Sequence, residues 1–246
     1  MRVFGLIGYP LSHSFSKKYF SDKFQNESIN DAQYELFEIP QAGLVKDVIL
    51  QNPSLQGLNV TIPHKQEVIK YLDELDLPVQ AIGAVNVIKV LPNGNLKGYN
   101  SDYHGFKASL LSFIPEDFSC LKALVLGTGG ASKAVQAALA DLQIPFKMVS
   151  RVGNESVLSY EDITADLIQE HQLIINTSPL GMYPHTDSAP ALPYFALSPS
   201  HFLFDLVYNP EETLFMTKGK AQGAKVKNGL EMLHLQAEKA WEIWNS

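Results

Sequence analysis

Apolar residues recur along this chain with two periods, and the changes of period outline its elements. Val3 to Ile7 is a short continuous apolar run of the kind a buried strand carries, and Tyr34 to Ile39 and Leu58 to Thr61 repeat it. Between these runs Tyr19, Phe20 and Phe24 fall at helical spacing within 16–29. Leu44, Val45, Val48 and Ile49 form a second helical stripe, and Val68, Ile69 and Leu72 a third. Strand, helix and strand in succession predict βαβ units. Ala84 to Val90 and Leu96 to Tyr99 flank Pro92, Asn93 and Gly94. Asn next to Gly supplies the positive φ of a tight turn, so a hairpin is expected to close this half.

The pattern then restarts. Asp102 is a plausible N-cap for a helix carrying Phe106, Leu110 and Leu111, and a loop at 115–119 leads to a new apolar run, Ala123 to Leu126. A glycine turn follows, then a helix over 131–142 and strands over 146–149, 173–176 and 202–207, which predicts a parallel, doubly wound sheet. The stretch 178–199 holds Pro179, Pro184, Pro190, Pro193 and Pro199 and is expected to be an irregular loop near a site. At the carboxyl end Leu233, Ala237, Ala240, Trp241 and Trp244 share one helical face that must pack on something. No internal repeat and no low-complexity tract interrupts this order.

Composition narrows the function classes. The 246 residues fit one large or two ordinary domains, and 46% hydrophobic residues suffice for packed cores. With 19 Lys plus Arg against 26 Asp plus Glu, the formal net charge of −7 argues against nucleic acid as the main partner. Cys120 is the only cysteine, which excludes an intramolecular disulfide and fits a reducing compartment, so a cytoplasmic location is expected. Apolar runs are strand-sized, far below the roughly 20 residues of a bilayer span, so no membrane partner is expected. The amino terminus lacks the pattern of a signal peptide.

Three clusters carry candidate chemistry. Gly127, Thr128, Gly129, Gly130, Ala131 and Ser132 lie between a predicted strand and a predicted helix. There, glycines allow a tight turn and a close approach of backbone N–H groups to a pyrophosphate, which the helix amino end stabilises. The same string also suits a plain strand-to-helix turn. The next strand ends in Ser150 and Arg151 with no carboxylate before Glu155; a cation there suits the 2′-phosphate of NADP, whereas an acid would suit the ribose of NAD. In the first half, the segment from Asn59 to Lys65 delivers a lysine at a strand's carboxyl end, the edge at which open α/β sheets bind ligands. Asn86 follows the turn at Gly83, and Asp102 lies at the border between the halves. Alone, Lys65 is an ordinary solvated cation and Asp102 a helix cap. Ser12, His13, Ser14 and Ser16 surround a helix start, which suits a bound carboxylate or mere capping. The seven histidines show no metal-ligand spacing.

With these motifs in order, the chain resembles the shikimate dehydrogenase family almost end to end. The resemblance rests on Gly8 to Ser16, Asn59 to Lys65, Gly83 to Asn86, Gly98 to Asp102, Gly127 to Ala131, Asn176 to Met182, Asp205 to Tyr208, and Gly229 to Gln236. It implies two α/β domains: a substrate domain over 1–101 plus 229–246, to which the last helix returns, and a Rossmann-like NADP domain over 102–228. It implies NADP-dependent reduction of 3-dehydroshikimate to shikimate in the pathway to chorismate and aromatic amino acids. Lys65 and Asp102 would be the catalytic pair, with Lys65 the proton donor and acceptor. Ser14 and Ser16 would hold the substrate carboxylate, and Asn59, Thr61, Asn86, Tyr208 and Gln236 would surround its ring with Asp102. Gly127, Thr128, Gly129, Gly130, Ala131, Ser150, Arg151, Leu206 and Gly229 would meet NADP.

The departures from the family pattern are local. Lys17 and Ser101 replace a usual proline and threonine, and a single arginine, Arg151, stands where the family commonly shows two, followed here by Val152 and Asn154. The segment between Arg151 and Leu173 is short, which implies a trimmed or missing helix in the nucleotide domain. Two other readings stay open: a quinate/shikimate dehydrogenase with relaxed cofactor use, and an NADP-sensing protein without chemistry. A sensor, however, needs no polar cage such as Lys65, Asn86, Asp102 and Gln236. A monomer or homodimer is expected, with a small-molecule substrate as the partner.

Overall fold

In the computed structural model, which describes residues 1–11 and 15–246, the chain separates into two compact units, 1–101 with 237–246 and 102–236. The elements of the first unit are β1 (Arg2–Gly8), α1 (Phe15–Asn26), β2 (Ala32–Glu38), α2 (Val45–Gln51), β3 (Leu55–Val60), β4 (Glu74–Leu75), α3 (Leu77–Ile82), β5 (Val87–Val90) and β6 (Leu96–Tyr99). Its sheet runs β2-β1-β3-β5-β6-β4. The pairings β1 with β2 and β1 with β3 are parallel, while β3 with β5 and β5 with β6 are antiparallel. The expected βαβ units therefore supply one side of the sheet and the expected hairpin the other. Gly94, at φ +87°, takes the left-handed position in the hairpin turn.

One side of this sheet is covered by aromatic residues. Phe4, Phe20, Phe24, Tyr34 and Trp244 are buried together, with Ala237, Ala240 and Ile243 of the last helix. Gly57 in β3 has to be glycine here, because a Cβ would lie 2.2 Å from the Trp244 indole, whose Nε1 donates to the Ile88 carbonyl at 3.0 Å. The stripe at Val68, Ile69 and Leu72 is not a helix of α type: 67–71 forms a 3-10 turn that buries Val68. Three apolar positions supply one turn's worth of face, and Asp73 ends it by accepting from the Leu96 N–H.

The second unit comprises α4 (Ser101–Leu111, shared at its first residue), β7 (Ala123–Leu126), α5 (Gly130–Asp141), β8 (Phe146–Ser150), β9 (Val157–Ser159), α6 (Ala165–Glu170), β10 (Leu173–Asn176), β11 (Phe202–Asp205), α7 (Leu214–Lys220), β12 (Lys225–Lys227) and the first part of α8 (Leu230–Asn245). Its sheet, β12-β11-β10-β7-β8-β9, is parallel throughout, and the order reverses between β7 and β10. This is the doubly wound arrangement, with its ligand crevice expected at that reversal. Both faces are buried, so β7 is apolar along its whole length, and β10 and β11 are apolar up to their last residues, Asn176 and Asp205.

Two expectations need correction. Helix α4 starts at Ser101, so Asp102 lies in its first turn and is not its N-cap. The shortened segment after β8 lacks a helix before the next strand, as its length implied: six residues, 151–156, turn the chain straight into β9, which pairs parallel to β8. Only the six-residue α6 remains before β10. Gly229 to Gln236, expected with the first region, lie in the second unit. There Met232 is buried in its core, and Glu231 accepts from Ser109 Oγ at 2.6 Å and pairs with Lys227. Among the described residues, no helix is long and apolar enough to cross a membrane.

Candidate active site

Asn59 and Asn86, two of the polar residues expected around a substrate, are held in the first unit by a buried hydrogen-bond network. Asn59 leaves β3 one residue before its end and is 6% exposed. Its Oδ1 accepts from the Tyr34 hydroxyl at 2.7 Å, and its Nδ2 lies 3.4 Å from the Asn86 carbonyl. Asn86, 3% exposed, clasps Ser101: its Oδ1 accepts from the Ser101 N–H at 2.6 Å and its Nδ2 donates to Ser101 Oγ at 3.0 Å. Buried amides engaged at both the oxygen and the nitrogen in this way keep one orientation, since each lost bond would leave a desolvated group unpaired.

The loop after β3 is pinned at both ends. Thr61 N donates to the Ile7 carbonyl at 2.9 Å, and a Cβ on Gly8 would lie 2.4 Å from Thr61 Cγ2, so the glycine at the end of β1 lets Thr61 pack closely. His64 is buried, with Nε2 2.7 Å from the Ile39 carbonyl, which anchors the turn. The Lys65 carbonyl then accepts from the Val85 N–H at 2.7 Å, so the partly buried Lys65 is carried by backbone tied to the segment that holds Asn86. Ser16 lies in the first turn of α1, hydrogen-bonded to Tyr34. Ser14, with Ser12 and His13, lies outside the described residues.

In the second unit, a pocket of about 450 Å³ opens at the carboxyl edge of the sheet, where the strand order reverses. Gly127, Thr128, Gly129, Ser150 and Arg151 line it, as do Tyr160 and the segment Thr177 to Leu180. Gly127 has φ +112°, and a Cβ there would also meet Thr177 Oγ1 at 2.8 Å, so the turn itself requires glycine. Gly129 and Gly130 differ: beyond the adjoining residues and the backbone of its own helix turn, an added Cβ would meet no atom within 4 Å. Their lack of side chain keeps open space in front of the α5 amino end, where N–H groups and the helix dipole favour an anion. Ser132 is fully buried and donates its hydroxyl to the Gly129 carbonyl at 2.7 Å, securing the turn to the helix. Gly130 and Ala131 form the first turn of α5.

Arg151 is exposed at the end of β8 and no carboxylate lines the pocket. Ser150 is in register with Ser159 of β9, and the following Tyr160 reaches the same pocket. Burial pushes the Tyr160 phenol above its ordinary value while the Arg151 charge opposes the shift. A buried carboxylate, Asp205, braces the far wall. It accepts from Thr213 Oγ1 at 2.6 Å, the Val207 N–H at 3.0 Å and Asn176 Nδ2 at 2.9 Å. Asn176 Oδ1 in turn accepts from the Ser178 N–H and hydroxyl. Desolvation outweighs these donors and raises the Asp205 carboxyl from 3.8 to about 6.

Leu206 and Gly229 are brought together at the sheet edge, for a Cβ on Gly229 would lie 2.2 Å from the Leu206 carbonyl oxygen. Gln236 is 8% exposed on α8, and Gly105 of α4 lets that helix approach closely, since a Cβ there would meet Gln236 N at 2.9 Å. Asp102 is partly buried one turn earlier on α4. Tyr208 is 37% exposed, its phenol raised by what burial it has. Among the described residues, no group of three or more His, Cys, Asp or Glu is placed to hold a metal. Tyr34, Tyr160 and Thr177 were not singled out from the sequence. The Asn176 to Met182 motif was the nearest signal, and only for the last of them.

A family model of the shikimate dehydrogenase substrate binding domain matches residues 6–88. A shikimate dehydrogenase (NADP(+)) of Methanococcus maripaludis is 37% identical over 262 residues, covering 99% of this chain and 91% of the other. One from Clostridium beijerinckii is 40% identical over 255 residues, covering 99% and 92%. The crystal structure of shikimate 5-dehydrogenase from Thermus thermophilus in complex with NADP(H) and shikimate matches with a TM-score of 0.85 at 29% identity, over 99% of this chain and 93% of that one.

Proposed function

The chain belongs to the shikimate dehydrogenase family, and on that premise we propose that it catalyses the reversible, NADP-dependent reduction of 3-dehydroshikimate to shikimate, in the cytoplasm and in the pathway to chorismate. The observation that carries the reading is the pocket at the glycine turn, open in front of α5, with Arg151 and no carboxylate at the end of β8. Bound NADP(H) would supply or accept a hydride there. Gly127 to Ala131 would present backbone N–H groups to its pyrophosphate. Ser150 and Arg151 would meet the 2′-phosphate, and Leu206 and Gly229 would also contact the cofactor.

Reducing a ketone also requires a proton on the developing alkoxide. Lys65 is assigned to give that proton, and to take it back in the oxidation, with Asp102 as the second catalytic group. Ser14 and Ser16 are assigned to the carboxylate. Asn59, Thr61, Asn86, Tyr208 and Gln236 are assigned to the ring and its hydroxyls. The network through Asn59, Asn86 and Ser101 supports this, because amides held rigid before the substrate arrives lose little freedom on binding. The test is absorbance at the nicotinamide band with purified protein, shikimate and NADP, then with quinate and NAD. Rapid NADPH formation with the first pair and slower rates with the others are expected. No NADPH formation from shikimate would refute the assignment.

A further inference from the structure

Tyr34 belongs to none of the motifs that mark the family, yet its hydroxyl lies between two residues assigned to substrate. The side chain is 3% exposed, and its ring stacks on Phe20 with centroids 4.7 Å apart. The hydroxyl is 2.7 Å from Asn59 Oδ1 and is also hydrogen-bonded to Ser16.

The direction of each proton follows by exclusion. The Asn86 carbonyl can only accept, so the Asn59 group 3.4 Å from it is Nδ2, and Oδ1 faces Tyr34. An amide oxygen cannot donate, so the phenol does. The proton in the remaining contact is then that of Ser16, which donates to Tyr34 as Tyr34 donates to Asn59. Burial raises the phenol well above its ordinary value, so it keeps its proton throughout the neutral range.

Resting on the substrate assignment above, we propose that Tyr34 is a positioning residue: it fixes the Asn59 amide so that Nδ2 is offered to a substrate hydroxyl oxygen, and it stores the Ser16 proton until a carboxylate claims it. A carboxylate outcompetes a phenol oxygen as an acceptor because charge-assisted hydrogen bonds are about twice as strong as neutral ones. When Ser16 turns, Tyr34 still donates to Asn59, so no buried donor is left unpaired.

The test compares the unaltered protein with Tyr34→Phe, which keeps the ring and removes only the oxygen. Turnover and shikimate binding by the unaltered protein are measured first, and absence of both would sink the substrate assignment and this inference together. With those present, the variant is expected to raise KM for shikimate roughly tenfold, with kcat and KM for NADP little changed. A merely structural role would move melting temperature and both Michaelis constants together. Should the variant not fold, the unaltered protein still decides by proton NMR, where the buried Tyr34 hydroxyl proton should shift on addition of shikimate and not of NADP. Unchanged KM for shikimate in a folded variant, or a hydroxyl resonance indifferent to saturating shikimate, would overturn the proposal.

Discussion

The two units of this chain prepare for ligands in opposite ways. In the first, the candidate site is made of side chains, the amides of Asn59 and Asn86 and the hydroxyls of Tyr34 and Ser101, each buried and committed to a partner. In the second, it is made of backbone and space: glycines that keep room in front of a helix end, with Arg151 alone as a charged anchor. A small hydroxylated acid is recognised by direction, and direction comes from amides that cannot turn. A pyrophosphate is recognised by charge, which main-chain N–H groups and a helix dipole supply with no side chain at all. Glycine accordingly has different tasks in the two units. At Gly57 it makes room for Trp244, whereas at Gly129 it makes room for nothing the protein owns.

The largest expected effect probes the chemistry that the first unit supplies. Lys65→Ala should lower kcat by roughly 10²–10⁴ with a smaller change in KM for shikimate. Unchanged turnover in a folded variant would remove Lys65 from the mechanism.

Next comes the buried carboxylate of the second unit. Asp205 is raised from 3.8 to about 6 by the fold, so its protonated form is the one the fold favours. Its contribution to stability is complete below 3.8 and is lost as pH rises through about 6, a change of about 3 kcal/mol. Asp205→Asn cannot ionise. Thermal melts from pH 4 to 7 should therefore show the variant gaining on the parent protein across that window, and a constant difference would mean the carboxyl does not titrate there.

The glycines give a sharper contrast. Gly57→Ala should destabilise by about 1–3 kcal/mol through overpacking against Trp244. Gly129→Val should leave the melting temperature unchanged and raise KM for NADPH about tenfold or more, through loss of the close approach. Equal melting losses in the two variants would erase the distinction drawn between them. The smallest effect is expected at Arg151. Arg151→Ala should raise KM for NADPH by roughly tenfold, the worth of one charge-assisted contact at an exposed site, and leave NADH use nearly unaffected. Equal losses with both cofactors would make Arg151 structural.

Legibility in the sequence was uneven for physical reasons. The apolar runs at 3–7, 123–126 and 173–175 are buried on both faces, so their strands are written in composition alone. Elements of two to six residues were lost. β4 and α3 were not expected, because Leu77 to Ile82 offers a single turn of pattern and contains a proline. β9 is a three-residue edge strand, held by pairing with β8 and not by its own propensity. Asp102 was read as a cap because an acid before an apolar stripe usually is one, but the Asn86 amide takes the Ser101 N–H, and the helix starts at Ser101, two residues earlier than a cap at Asp102 would place it. In the site, residues with a local signature were readable: glycines between strand and helix, and a basic residue at a strand end. Tyr34 and Tyr160 carry no such mark. They become relevant through neighbours 25 residues away for Tyr34 and on an adjoining strand for Tyr160.

By itself, then, the amino-acid order settled the alternation of strands and helices, the glycine turn and the family, because periodicity, turn chemistry and ordered motifs are local properties that survive without coordinates. Folding decided which way the Asn59 amide faces, that Asp205 is desolvated enough for its carboxyl to rise from 3.8 to about 6, and that two glycines lie open to a ligand while a third lies under an indole. Those depend on what stands opposite each group in space, and a one-dimensional pattern does not record burial or the direction of a hydrogen bond.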